Sequence, residues 1–256
     1  MLVTSSLHRD ARVLDLLIDN PKGNILTGAV MRELDAALAE HASAKALRLV
    51  TIRGAGKNFS FGASVEEHQR DQAPAMLAGF HALIRRVAGY PVPVAAVVDG
   101  RCLGGAFELA LACHFVFATD RAVFGCPEIK LGVLPPVLAA IGPHRLGASL
   151  AERLLITGED LDVARAEEVG FVTRVLSSTD DPFAAALGWY DAALAGLSAY
   201  SLRQAVTAVR RSMASALGAE LDAAERHYLE SLLPSHDGNE GITAFLEKRA
   251  PVWTDD

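Results

Sequence analysis

A layered α/β fold followed by a helical tail is predicted by three observations on this 256-residue chain. Strand-like and helix-like stretches alternate over the first two thirds, apolar residues make up 51% of the sequence, and after Pro182 the pattern turns wholly helical. Such alternation implies crossover connections around a sheet, and the apolar share is ample for a sizeable core.

The elements follow in order. Val13–Ile18 is a compact apolar run of strand length, and a helix is expected around residues 30–41. A strand at 47–53, a helix at 74–88 and a strand at Val94–Val98 continue the alternation. Gly104-Gly105 then opens an apolar helix over 105–113, with short strands expected at 115–118, 122–124 and 172–176. Helices are expected at 183–197, 202–216, 219–232 and 240–249. Turn-forming residues cluster at 177–181. The boundary is therefore placed there, with residues 1–180 as the core that carries the site and residues 181–256 as an appended helical region.

A formal net charge of −7 disfavours broad binding to nucleic acid or to anionic membranes. Residues 1–10 lack the basic start, apolar run and small-residue cleavage site of a signal peptide, and no apolar run is long enough to span a bilayer. Cys102, Cys113 and Cys126 are odd in number and lack CxxC spacing, which fits a reducing compartment. A cytoplasmic protein is expected. The eight histidines and three cysteines show no metal-ligand spacing, so no metal is predicted. Cys126 reads as a packed thiol, because no motif sets a histidine beside it.

The chemistry-bearing residues gather around the glycine pair. A helix that starts at Gly105 has a free backbone N–H at its mouth, reinforced by the helix dipole. The loop Lys57-Asn-Phe-Ser-Phe-Gly-Ala-Ser64 presents a second N–H at Ala63. Converging on one carbonyl oxygen, the two would form an oxyanion hole. The alternative is that these glycines serve only tight turns and close packing. Glu108 lies one helical turn beyond Gly105 in an otherwise apolar helix, where a carboxylate is costly without a partner or a task. Glu128 follows Pro127 at the edge of an element, where catalytic groups are often presented. By itself each glutamate also reads as a surface acid.

Ala63, the Gly104-Gly105 helix with Glu108, and Pro127-Glu128 together resemble the crotonase (enoyl-CoA hydratase/isomerase) superfamily. The resemblance covers nearly the whole chain. Pro21-Lys-Gly-Asn24 is similar to the family's early coenzyme A loop, Gly158-Glu-Asp-Leu-Asp-Val-Ala164 with Gly170-Phe-Val172 to a later helix and strand signature, and Glu240-Gly-Ile-Thr-Ala-Phe-Leu-Glu-Lys-Arg249 to its terminal helix. The resemblance implies a spiral of ββα units with a helical C-terminal trimerisation region, assembled as a homotrimer or a dimer of trimers. It implies an acyl-CoA thioester as substrate, with no cofactor beyond the coenzyme A that the substrate carries. The oxyanion-hole N–H groups would be those of Ala63 and Gly105, and the paired acids of the hydratases Glu108 and Glu128.

Substrate contacts implied in the same way are Lys22, Gly23, Ala63, Ser64, Val65, Glu66, Gly105, Pro135 and Lys248. For Lys22 and Lys248, which would meet coenzyme A phosphates, an ordinary solvated lysine is the alternative reading. His68 and His81 are placed either at the acyl pocket or in plain packing.

Two departures narrow the substrate. Leu131-Gly-Val-Leu-Pro-Pro-Val137 replaces the glycine-rich segment of simple hydratases, and Pro135-Pro136 would stiffen a loop bordering the acyl pocket. Ser64 stands where an aspartate is common. With Phe59-Ser-Phe-Gly-Ala-Ser-Val-Glu-Glu-His68 and Phe80-His81, these features resemble cyclohexa-1,5-diene-1-carbonyl-CoA hydratases. An ordinary short-chain enoyl-CoA hydratase and a catalytically silent acyl-CoA-binding homologue are the rival expectations.

Overall fold

The computed structural model describes the whole chain except the side chains at positions 215 and 216. It contains β1 (Val3–His8), β2 (Val13–Ile18), α1 (Gly28–His41), β3 (Leu49–Gly54), α2 (Ala73–Ala88), β4 (Val94–Val98), β5 (Arg101–Leu103) and α3 (Gly105–Ala112). β6 (Phe115–Thr119), β7 (Val123–Gly125), α4 (Pro136–Leu146), α5 (Ala148–Thr157), β8 (Asp160–Asp162), α6 (Val163–Glu168) and β9 (Arg174–Leu176) complete the α/β part. The tail is α7 (Pro182–Ala193), α8 (Ala199–Val209), α9 (Arg211–His227) and α10 (Asp237–Glu247).

Six strands form one sheet in the order β1-β2-β3-β4-β6-β9, antiparallel only between β1 and β2. β4, at its centre, is apolar throughout because both faces are covered, while β2 and β3 share one polar cluster in which Thr51 and Arg53 donate to buried Asp15. Leu14, Leu16, Val50, Ile52, Ala96 and Val98 belong to the main core with helices α1 to α5. Val13, Leu49, Ala95, Val97 and Phe117 alternate with them and pack on α7.

A second sheet, β5-β7-β8, lies beyond the first. The chain thus winds as a spiral: β4 leads through β5 into α3, and β6 leads through β7 into a 3₁₀ turn at Pro127–Leu131 and then α4. One turn earlier, Ser60 takes the place of a strand through a parallel bridge to Cys102.

Two departures from expectation matter for the site. The segment after Pro135-Pro136 is a helix rather than a stiffened loop, since Pro136 occupies the first helical position, where a missing N–H is harmless. The helices expected at 202–216 and 219–232 instead divide at Arg210, and α9 runs on through Gly218. The expected end at Ala216 falls inside α9. Buried Arg210 donates to the Ala112 carbonyl at 3.1 Å, at the end of α3, and this tertiary contact marks the break.

β1 was not anticipated, because its alternating exposed residues carry little apolar signal. The tail folds back onto the core: α9 packs on α2 and α4, and α10 on the Pro127–Leu131 turn. Among the described residues no helix is long and apolar enough to cross a membrane.

Candidate active site

Strand register assembles the site. Ser60 bridges Cys102, and Cys102 in β5 lies opposite Phe124 in β7. The three chain segments therefore leave the small sheet side by side, and a few residues later they reach Ala63, Gly105 and Glu128. Gly62, at φ +102°, permits this convergence: a Cβ there would stand 2.7 Å from the Leu103 carbonyl oxygen and 3.3 Å from the Gly105 nitrogen.

Ala63 consequently sits at the mouth of α3, where a Cβ added to Gly105 would lie 3.4 Å from the Ala63 nitrogen. Neither the Ala63 N–H nor the Gly105 N–H finds a partner among the described residues. Two free donors side by side, one at a helix N-terminus, suit an oxygen that gains negative charge.

Every residue of α3 is buried, and Glu108 is only 3% exposed. Its Oε1 accepts the N–H groups of Val137 at 2.8 Å and Leu138 at 2.9 Å. These are first-turn amides of α4, so the helix that begins at Pro136 aims its free donors at the carboxyl. Burial pushes the Glu108 carboxyl up from its ordinary value, and the two amides pull it part of the way back.

Glu128 projects from the Pro127–Leu131 turn, and its Oε2 is buried without a hydrogen bond among the described residues. Burial pushes its carboxyl up, and the neighbouring Glu108 charge adds to the rise. Glu108 has two amides of a neighbouring helix to favour its charged form, whereas Glu128 has its own backbone N–H and the Cys126 thiol. The pair therefore titrates as a unit, with Glu128 the more strongly protonated partner.

A cavity of about 390 Å³ runs past Ala63, Val65, Glu66, His68, Gly104 and Glu128. Adjoining it, a cavity of about 20 Å³ is bounded by Ala63, Gly105, Glu108, Glu128, Pro135, Pro136 and Tyr228. That smaller volume fits one water molecule. The arrangement brings two carboxyls of unequal proton affinity and two free N–H donors to one place, a combination able to add water to an activated double bond.

Gly104 adopts φ +53° and ψ −134°, a conformation that favours glycine, and a Cβ there would approach Glu128 Oε1 to 2.8 Å. Gly104→Ala is therefore expected to cost about 1–3 kcal/mol of stability. It should also lower hydration kcat about tenfold or more by displacing Glu128. Denaturant melts and steady-state kinetics measure the two effects.

The other expected contact residues are dispersed. Val65 and Glu66 border the larger cavity, and Pro135 the smaller. Ser64 turns inward, where its hydroxyl donates to Glu66 Oε2 at 2.8 Å. Gly23 packs against Phe61, a residue of the larger cavity wall, while exposed Lys22 and Lys248 border neither cavity. His68 borders both cavities, and its Nδ1–H donates to the Ser64 carbonyl at 2.7 Å. His81 borders neither, since its Nδ1 pairs with Glu225 Oε2 at 2.5 Å. Cys126 is fully buried beneath the site, and burial pushes its thiol up. Tyr228 and Phe245 reach the cavities from the helical tail. No local motif announces Tyr228.

Known proteins resemble the chain over nearly its whole length. Residues 8–256 match the enoyl-CoA hydratase/isomerase family. The chain is 44% identical over 247 residues to a cyclohexa-1,5-dienecarbonyl-CoA hydratase of Thauera aromatica, covering 96% of this chain and 95% of the relative. It is 34% identical over 252 residues to a 2,3-dehydroadipyl-CoA hydratase of Escherichia coli, covering 96% of each. An enoyl-CoA hydratase crystal structure from Mycobacterium avium subsp. paratuberculosis superposes with a TM-score of 0.86 at 30% identity, covering 100% of this chain and 99% of that one. With a spiral fold of this kind and two acids beside paired N–H donors, the chain belongs to the enoyl-CoA hydratase/isomerase family and is a hydratase.

Proposed function

We propose that the protein adds water to cyclohexa-1,5-diene-1-carbonyl-CoA, a cyclic conjugated dienoyl thioester, giving 6-hydroxycyclohex-1-ene-1-carbonyl-CoA. The observation that carries this reading is the small cavity in which both glutamates meet a wall of Pro135 and Pro136, with Phe80 and Leu134 beside them. A wall that begins a helix and contains two prolines yields little. It would hold the single water of the small cavity in one place beside a ring seated in the larger one, and the 44% identity to a dienecarbonyl-CoA hydratase favours that ring.

In this mechanism the thioester oxygen lies on the Ala63 and Gly105 N–H groups. Glu108 takes a proton from water as the water oxygen bonds to the carbon β to the thioester. Charge spreads along the dienolate and is held at the oxyanion site. Glu128, protonated at the start, delivers its proton to the far end of the conjugated system, so the elements of one water are added and no cofactor is consumed. The reverse dehydration uses the same groups.

Coenzyme A would lie along the larger cavity toward Lys22, Gly23 and Lys248. Residues 181–256 would also join subunits in a homotrimer or dimer of trimers, a role supported by exposed Tyr200, Val209, Val252 and Trp253.

The test is hydration of the cyclic dienoyl thioester and of crotonyl-CoA by the purified protein, with product identification. At least a tenfold advantage in kcat/KM for the cyclic compound is expected. A preference for crotonyl-CoA would overturn the substrate assignment in favour of an ordinary short-chain hydratase.

A further inference from the structure

Tyr228 is 1% exposed, yet its hydroxyl has no hydrogen-bond partner among the described residues. A buried tyrosine hydroxyl normally finds a partner, and one without calls for an explanation. Its location supplies one. Tyr228 borders the same water-sized cavity as Glu108 and Glu128, and the Glu128 Oε2 is a second unpartnered polar atom there.

The backbone is specialised at this point. α9 gives way at Tyr228 to a single π-turn, Tyr228–Leu232, in which the Leu233 N–H donates to the Tyr228 carbonyl at 2.8 Å, five residues back. Such turns interrupt α-helices mainly where a side chain must be re-aimed, and often at functional sites. α9 is itself tied to α2 by His81 with Glu225 and by Arg85, which donates to the Leu217 carbonyl at 3.2 Å. The phenol is therefore held in place from outside the cavity.

We infer that Tyr228 contacts the oxygen that the reaction transfers, donating its O–H to the water before attack and to the ring hydroxyl after it. This inference rests on the hydration reading and extends it to a residue of the helical tail. Ionised Glu108 and the carbonyl oxygen of protonated Glu128 would accept the water's hydrogens and leave its oxygen in need of a donor, and Tyr228 is the uncharged donor that borders the same cavity. Burial, followed by the Glu128 charge, pushes the phenol up, so Tyr228 keeps its proton throughout and acts by holding the oxygen in line.

The role has a kinetic signature that a packing role lacks. In the dienoyl complex the partner of Tyr228 is water, whereas in the hydroxy complex it is the substrate itself. The reaction equilibrium is unchanged by mutation, so kcat/KM must fall by one factor in both directions. For Tyr228→Phe that factor is expected to be about ten to thirty. In hydration the loss should fall on kcat with KM within twofold, and in dehydration it should fall substantially on a raised KM. Because only an unpartnered hydroxyl is removed, the variant's Tm should match or exceed that of the parent.

The experiment measures parent and Tyr228→Phe enzymes in both directions, with thermal melts alongside. The cyclic pair of thioesters is run beside crotonyl-CoA and 3-hydroxybutyryl-CoA. A kcat/KM within twofold of the parent in both directions would overturn the assignment. An equal loss accompanied by a lower Tm, with no rise in KM for the hydroxy thioester, would overturn it as well. Should the parent enzyme prefer crotonyl-CoA, the cyclic substrate reading falls, and the Tyr228 assignment is judged on the four-carbon pair.

Discussion

Replacing Glu108 or Glu128 with glutamine is expected to lower kcat for hydration by about 10²–10⁴-fold, the usual scale for losing a positioned acid or base. Both variants should fold. Glu108→Gln keeps a carbonyl oxygen able to accept from Val137 and Leu138, so α4 retains a partner at its first turn. Glu128→Gln keeps the volume at the cavity wall. KM should change much less than kcat, because neither carboxyl binds the coenzyme A portion in the proposed mode. The double variant should lose little beyond the worse single one, since the two act on the same water. Steady-state kinetics of the three proteins checks this. Hydration within threefold of the parent in both single variants would remove the two-acid mechanism.

The second large effect is on pH. Burial pushes both carboxyls up, and the pair they form titrates at about 7 and about 8. A bell-shaped kcat/KM profile is therefore expected, centred near those values: the acid limb reports protonation of the base, the alkaline limb loss of the proton that must be delivered. Stability carries the opposite mark of the same groups. Both carboxyls bind protons more tightly folded than unfolded, so their contribution is whole below the unfolded value near 4.5 and is lost as pH rises through about 7 and about 8.

Glu128→Gln stays neutral throughout. Its Tm should equal the parent's near pH 5 and exceed it by roughly 5 °C at pH 9. Melts across that range test the point, and a gain independent of pH would contradict the buried, shared-proton arrangement. Activity and stability would thus pull apart at one residue, as expected where a charge is kept buried for chemistry.

Much of this was readable along the chain. β4 and α3 announce themselves by uninterrupted apolar runs and by the glycine pair between them, and Glu108 stands out because nothing else in α3 is charged. α4 was hidden for a local reason: Pro135, Pro136, Gly142 and Pro143 lie in or just before eleven helical residues, a composition that reads as loop. The prolines survive because Pro135 precedes the helix, Pro136 occupies its first turn and Pro143 lies close to its C-terminal end. Gly218 suggested a break in the tail that the structure makes at Arg210 instead, because a buried guanidinium caps another helix there.

The sequence by itself determined the fold class, the glycine-opened helix, and the presence of two acids and two candidate N–H donors, since these depend on hydrophobic period and turn chemistry within a few residues. Only the tertiary structure decided how they act. Glu108 is held by amides 29 and 30 residues further on. Ala63, Gly105 and Glu128 meet through strand register, and Tyr228 arrives from a distant helix. Protonation and contact depend on what surrounds a group in space, and desolvation in a shared cavity is a property of no single segment.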